Sequence, residues 1–251
     1  MGYASLNTPR GYALTYHHQQ GEGLGVLFLC GFKSDMEGSK ALALGEFCAR
    51  EHMPFTRFDY FAHGKTGGDF LDFTLSTALA DTLDVLDHLA SPQILIGSSM
   101  GGWVNLLAAR ERKAQVKGLL GIASAPAFTE RLIYTQLSAA QRTALHEEGV
   151  IYQPSDYGYD DYAITEKLIL DGRSHLLLDG PIAIDCPVAL LHGQRDLDVP
   201  WEISLELAAR LTSHEVEITL VKDGDHRLSR PQDIALLTQT LARLRDLTSP
   251  V

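Results

Sequence analysis

The chain has 251 residues, 45% hydrophobic and 21% charged, with 32 acids against 21 bases and a formal net charge of -11. That composition fits one large globular α/β domain with a sizeable core. Its negative field argues against nucleic acid or an anionic lipid surface as partner.

The first residues, "MGYASLNTPR", hold no apolar stretch of signal-peptide type, and Leu6 stands where a myristoylation signal after Gly2 needs Ser or Thr. No apolar run is long enough to cross a bilayer, so no stable membrane insertion is expected. Cys30, Cys48 and Cys186 are too far apart for a metal-ligand or disulfide framework, which points to a reducing, cytoplasmic setting.

In chain order, "ALTYHHQQ" (13–20) predicts a lone early strand. "GLGVLFLCG" (23–31) is continuously apolar, as a strand buried on both faces must be. "GSKALALGEFCAR" (38–50) predicts a helix and "PFTRFDY" (54–60) a second strand. Leu75, Leu79, Leu83 and Leu86 recur at helical spacing, giving an amphipathic helix over 74–90. "QILIG" (93–97) predicts a strand, "WVNLLAARER" (103–112) a helix, and "VKGLLGIAS" (116–124) a strand. "CPVALLHG" (186–193) and "EVEITLVKDG" (215–224) predict two more strands. Pro200 opens a helix ending near Leu211, and Pro231 opens the last. The alternation implies an α/β fold with a mostly parallel sheet covered by helices on both faces. One segment breaks the rhythm. Residues 126–183 are far too long for a simple connection, and "TERLIYTQL" and "DDYAITEKLIL" predict helices there.

"GSSMG" (97–101) fits G-x-S-x-G at a strand-to-helix junction. Gly97 and Gly101 permit a turn in which any side chain would collide, and Gly102 lets the helix approach the sheet. The middle residue, Ser99, is then the exposed nucleophile, and Ser98 is the variable position. A serine hydroxyl needs a base, and the base an orienting acid. Five histidines follow Ser99, and the site must lie at the carboxyl ends of the strands. His146 and His175 fall in the long segment, His192 precedes any acid loop, and His214 belongs to the opposite rim. His226, in "DGDHR", satisfies both chain order and rim. In "QRDLDVP", Asp198 sits beside a helix start, which is a structural task, so Asp196 is the better acid. The oxyanion donors are expected at the backbone N–H groups of Met100 and of Phe32, just past Gly31.

Five blocks, "FLCGFKSDMEGSKA", "RFDYFAHGKTGG", "LIGSSMGGW", "LLHGQRDLDVPW" and "GDHRLSRPQDI", resemble the α/β-hydrolase superfamily in order and spacing. Within it the chain resembles the small palmitoyl-protein thioesterase and acyl-glucuronide esterase group and its bacterial relatives, through the "GSKAL…EFC" helix, the "GSSMGGW" turn and the "CPVALLHGQRDLDVPW" loop. It departs at Cys30, where relatives usually carry Pro or His, and it begins without an Arg/Ser-rich transit segment, which argues for a bacterial cytoplasmic member. The resemblance implies an α/β-hydrolase core (1–125 and 184–251) with a helical cap insertion (126–183), and Ser99, Asp196 and His226 as triad. It also implies Phe32 and Met100 at the oxyanion hole, no metal and no cofactor. The expected activity is hydrolysis of carboxylic esters or thioesters, acting on a small-molecule or acylated-protein substrate. Leu132, Ile133, Leu137, Ile164 and Leu168 either line an acyl pocket or fill the cap's own core. "FAHGKTGG", with His63 and Lys65, reads as a turn. Two alternatives stay open: an aminopeptidase-like serine peptidase, with Asp160 or Asp161 anchoring an amino group, and a small-molecule binding protein on a catalytically silent fold.

Overall fold

The computed structural model describes residues 2–154 and 161–248. The strands are β1 Ala4–Asn7, β2 Ala13–Gln19, β3 Gly25–Leu29, β4 Phe55–Phe58, β5 Gln93–Ser98, β6 Val116–Ile122, β7 Val150–Gln153, β8 Tyr162–Thr165, β9 Val188–Gly193 and β10 Val216–Val221. The α-helices are α1 Ser39–Arg50, α2 Leu75–Leu89, α3 Met100–Glu111, α4 Ala139–Glu148, α5 Glu166–Arg173, α6 Glu202–Arg210 and α7 Pro231–Thr248.

Eight strands form one sheet in the order β1-β2-β4-β3-β5-β6-β9-β10, parallel from β4 through β10. The apolar runs explain its centre: every residue of β3, β5 and β9 is buried, as strands covered on both faces require. α1 packs with α7 on one face, and α2 packs with α3 on the other. In α2, Thr74 caps by accepting from the Thr77 N–H, and Ala90 ends the helix in the left-handed region at φ 51°.

The early strand is not alone. β2 pairs antiparallel with both β1 and β4. β1 escapes sequence reading because an exposed four-residue edge strand needs no apolar alternation.

The topology locates a crevice. The chain leaves β3 for β4 on one side and returns to β5 on the other. The loops after β3 and β5 therefore part, and such switch points are where α/β sheets bind ligands. Register aligns the strand ends on one rim, with Leu29 beside Gly97, Ser98 beside Ile122, and Ile122 beside Leu191.

The segment between β6 and β9 is not simply helical. "TERLIYTQL" forms one π turn at Thr129–Ile133 and a 3-10 turn at Tyr134–Gln136, and "DDYAITEKLIL" divides into β8 and α5. β7 and β8 pair as a separate antiparallel hairpin. The polar helix α4 carries its signal in the caps, a Ser138–Gln141 capping box and Gly149 at φ 76°. Leu137, Leu145, Ile151, Ile164 and Ile169 form a small core of their own there. Among the described residues no helix is long and apolar enough to cross a membrane.

Candidate active site

Ser99 sits between β5 and α3 at φ 55° and ψ -116°, a conformation rarely tolerated by a residue with a side chain. Close packing makes the glycines around it obligatory. A Cβ on Gly97 would stand 2.1 Å from the Gly101 carbonyl oxygen, and one on Gly101 would stand 2.2 Å from that of Leu29. Gly102 does what its position suggests, since a Cβ there would stand 2.2 Å from Ser124 Oγ at the end of β6.

His226 follows β10, and its Nε2 lies 3.1 Å from Ser99 Oγ. Its Nδ1 lies 2.7 Å from Asp196 Oδ2. Asp196 follows β9 and its side chain is fully buried. Its Oδ1 accepts the N–H groups of Asp198 at 2.9 Å and Val199 at 2.8 Å. Burial alone would raise its pKa. The hydrogen bonds from His192, His226 and the Val199 N–H outweigh that and hold the carboxyl far below the usual range. Asp196 is therefore an anion wherever the protein works. Asp198 is exposed, and α6 starts at Glu202. Of the two aspartates before His226, Asp223 pairs with Arg230 and Asp225 accepts the Leu228 N–H, both turn-forming tasks.

Met100 is the first residue of α3, so its N–H has no acceptor within the helix and lies at the positive end of the helix dipole. Gly31 brings the loop after β3 against Ser99: a Cβ there would stand 3.4 Å from Ser99 Cβ. Phe32 comes next. Cys30, at the end of β3, is buried, bonds to the Ser34 carbonyl at 3.6 Å, and has its thiol pushed well up by burial. An inert thiol of this kind serves the loop as a small apolar filler.

Sequence reasoning missed how this loop is held. Arg57 of β4 donates to the Met36 carbonyl at 2.5 Å, and Asp59 Oδ1 accepts the Met36 N–H at 2.7 Å. His63 donates from Nδ1 to the Phe61 carbonyl at 2.9 Å, which leaves Nε2 to accept the Lys33 N–H at 3.2 Å. Lys33 itself is at φ 54°. Burial lowers the His63 pKa to about 4, so it remains a neutral acceptor. "FAHGKTGG" is thus a turn that also braces its neighbour. The signal available was a charged or polar residue at 57, 59 and 63 in an otherwise apolar stretch.

Ser99, Met100, His226, Gly31 and Phe32 line one cavity of about 730 Å³. Phe128, Leu132, Ile133, Tyr162 and Ile164 form an apolar wall, while Lys33, Lys40, Asp198 and Arg227 supply polar lining. The Phe32 ring lies 5.6 Å from that of Phe128 and 6.2 Å from that of Tyr162. Ile164 serves both roles weighed from sequence, small-core filling and cavity lining; Leu137 is confined to the core. Leu168 belongs to the main core. Ser98 is buried at the end of β5 and also touches the cavity. Asp160 lies outside the described residues, and Asp161 is exposed, its carbonyl accepting from Lys33 Nζ at 2.9 Å.

A family model described as "Alpha/beta hydrolase family" matches residues 26–235. The chain is 38% identical over 248 residues to the human mitochondrial palmitoyl-protein thioesterase ABHD10, covering 98% of this chain and 81% of that protein. The solved structure of mouse alpha/beta hydrolase domain-containing protein 10 superposes with a TM-score of 0.92 at 38% identity, over 99% of this chain and 100% of the other. A chain described as a hydrolase from Agrobacterium vitis S4 superposes with a TM-score of 0.93 at 36% identity, over 99% of each.

Proposed function

The chain belongs to the alpha/beta hydrolase family, and from that premise we propose that it is a serine hydrolase cleaving carboxylic esters or thioesters of apolar acyl groups. The observation that carries the reading is the unbroken relay from Ser99 Oγ through His226 to the buried Asp196 carboxylate, 3.1 Å and 2.7 Å long. The palmitoyl-protein thioesterase named among its relatives supports an acyl substrate, on a protein or a small molecule.

In this reading His226 Nε2 takes the Ser99 proton as Oγ bonds to the acyl carbon. The carbonyl oxygen gains the electron pair, and the Phe32 and Met100 N–H groups stabilise it. The imidazolium then protonates the departing oxygen or sulfur as the acyl–heteroatom bond breaks. Water then gives a proton to His226 as its oxygen bonds to the acyl carbon, and the imidazolium returns a proton to Ser99 Oγ as the acyl–Oγ bond breaks and the acid leaves. Asp196, held anionic, keeps the imidazole in the tautomer that presents a lone pair to the serine. Residues 126–183 act as a cap whose apolar wall faces the acyl tail.

The test combines a fluorophosphonate probe with p-nitrophenyl esters and acyl thioesters of graded length. Labelling at Ser99, with rates rising with chain length, supports the reading. A folded protein that labels nowhere, or one that cleaves aminoacyl anilides faster than any ester, overturns it.

A further inference from the structure

His192, the last residue but one of β9, is fully buried and lines no part of the active-site cavity, yet it reaches the same carboxylate oxygen that His226 uses. Its Nε2 lies 3.1 Å from Asp196 Oδ2 and 3.0 Å from the Val199 carbonyl oxygen. A carbonyl can only accept, and an ionised carboxylate can only accept, so Nε2 carries the hydrogen and shares it between them. The other nitrogen, Nδ1, lies 2.7 Å from Ser204 Oγ, which is buried in α6 and donates to it. Both ring nitrogens are thereby committed, and a ring flip would put carbon atoms where both nitrogens now bond.

We propose that His192 is a positioning residue of the catalytic relay: its Nε2–H fixes the Asp196 carboxylate and competes with His226 for Oδ2. The inference rests on the triad reading above. It explains the spacing of "HGQRD". A histidine on the last turn of a buried strand and an acid four residues later meet across the turn that leaves the sheet. Asp196 then has both oxygens saturated, Oδ1 by two backbone N–H groups and Oδ2 by two imidazoles. A carboxylate so held has one rotamer to offer His226.

The other groups around His226 stay constant in the test. They are Asp198 from the loop after β9, Lys40 of α1 through the Arg227 carbonyl, Asp225 and Arg227 on its own loop, and Ser99. Topology selects the variants. Gln places an amide nitrogen the same number of bonds from Cβ as Nε2, whereas Asn places it at the Nδ1 level facing Ser204. His192→Gln keeps a donor on Oδ2; His192→Asn and His192→Leu do not.

The experiment measures kcat and KM on one ester, with Tm recorded for each variant. His192→Leu and His192→Asn are expected to lose roughly ten- to a hundredfold in kcat, with KM changed less than about threefold, because a hydrogen bond to a charged group is lost away from the substrate. His192→Gln should keep most of the rate. Nitrogen NMR of the wild-type protein should find His192 with its proton on Nε2. A purely structural histidine would lower Tm and leave kcat within about threefold of wild type in the folded variants, and that result overturns the proposal. So does equal behaviour of Gln and Asn, which remains readable if the Leu variant does not fold. A proton on Nδ1 also overturns it. Failure of the triad reading is distinct: Ser99→Ala would then keep its activity whatever His192 does.

Discussion

Replacing Asp196 by Asn tests the relay at the point where geometry makes the sharpest demand. The carboxylate makes four contacts, and every partner is a donor: two backbone N–H groups on Oδ1 and two imidazole nitrogens on Oδ2. An amide offers one acceptor atom and one donor atom. If its oxygen keeps the Asp198 and Val199 N–H groups, its NH2 faces His226 Nδ1. The imidazole then relieves the clash by moving its proton to Nε2, where it confronts the Ser99 hydroxyl and cannot accept a proton from it. A tautomer error of this kind costs about four decades of kcat, or about 5 kcal/mol of transition-state stabilisation. If the amide turns over instead, the Asp198 and Val199 N–H groups both lose their acceptor, and the part-buried Val199 one costs about 1–3 kcal/mol. The fold therefore selects the inactive arrangement. Asp198→Asn is the control: the exposed Asp198 serves Asp196 through its backbone N–H, which the substitution keeps. The assay is kcat on a p-nitrophenyl ester with Tm for both variants. A folded Asp196→Asn protein within tenfold of wild type, or a larger loss in Asp198→Asn, would refute the argument.

Ser99→Ala should abolish turnover and probe labelling, while Ser98→Ala keeps most of both; normal esterase activity in folded Ser99→Ala protein would remove the mechanism. Across an ester series kcat/KM should climb about fourfold per added CH2 until the apolar wall is covered, because each buried CH2 is worth about 0.8 kcal/mol; a flat series would refute an acyl slot. Lys40, whose pKa burial lowers to about 8, should shed its proton in the folded protein before an unfolded lysine does at about 10.4, so the unfolded state binds more protons in that window. Wild-type Tm should then rise relative to that of Lys40→Met between pH 8 and 10, and a constant difference over that range would contradict the assignment. His63→Phe, which keeps a ring but loses the acceptor for the Lys33 N–H, should lower kcat about tenfold with little change in KM, and an unchanged kcat would separate that brace from the oxyanion loop.

What the chain discloses in advance is what depends on local chemistry. Four- to six-residue apolar runs announce buried strands, and "GSSMG" after one of them announces the strained turn, because only glycines fit where Gly97 and Gly101 meet backbone at about 2 Å. Chain order and the rim rule then select His226 over four other histidines. The same rule, applied alone, hides His192. It asks which histidine can reach the serine, whereas His192 acts on the acid from inside the sheet. The cap segment is less legible for a different reason. Its strands are four residues long, and its apolar residues divide between a small core and the cavity wall, so no single period runs through them. The brace on the loop after β3 was hidden because it depends on β4 lying beside β3, a tertiary fact that no periodicity in 54–68 encodes.

Phe32 shows why the oxyanion loop and the cap belong in one functional account. Its N–H is the proposed second oxyanion donor, and its ring packs against Phe70 and Phe73 below and Phe128 and Tyr162 beside the cavity. Lys33, the next residue, is tied to His63 by its N–H and to the cap by its ammonium, which donates to the Asp161 carbonyl and lies 5.3 Å from the Tyr162 ring centroid. An acyl tail that displaced Tyr162 would therefore press on the residues that position the donor. Length of the acyl chain should accordingly enter kcat as well as KM, since a tail seated against this wall stiffens the loop whose N–H meets the oxyanion. A slot remote from the loop would confine the effect of chain length to KM.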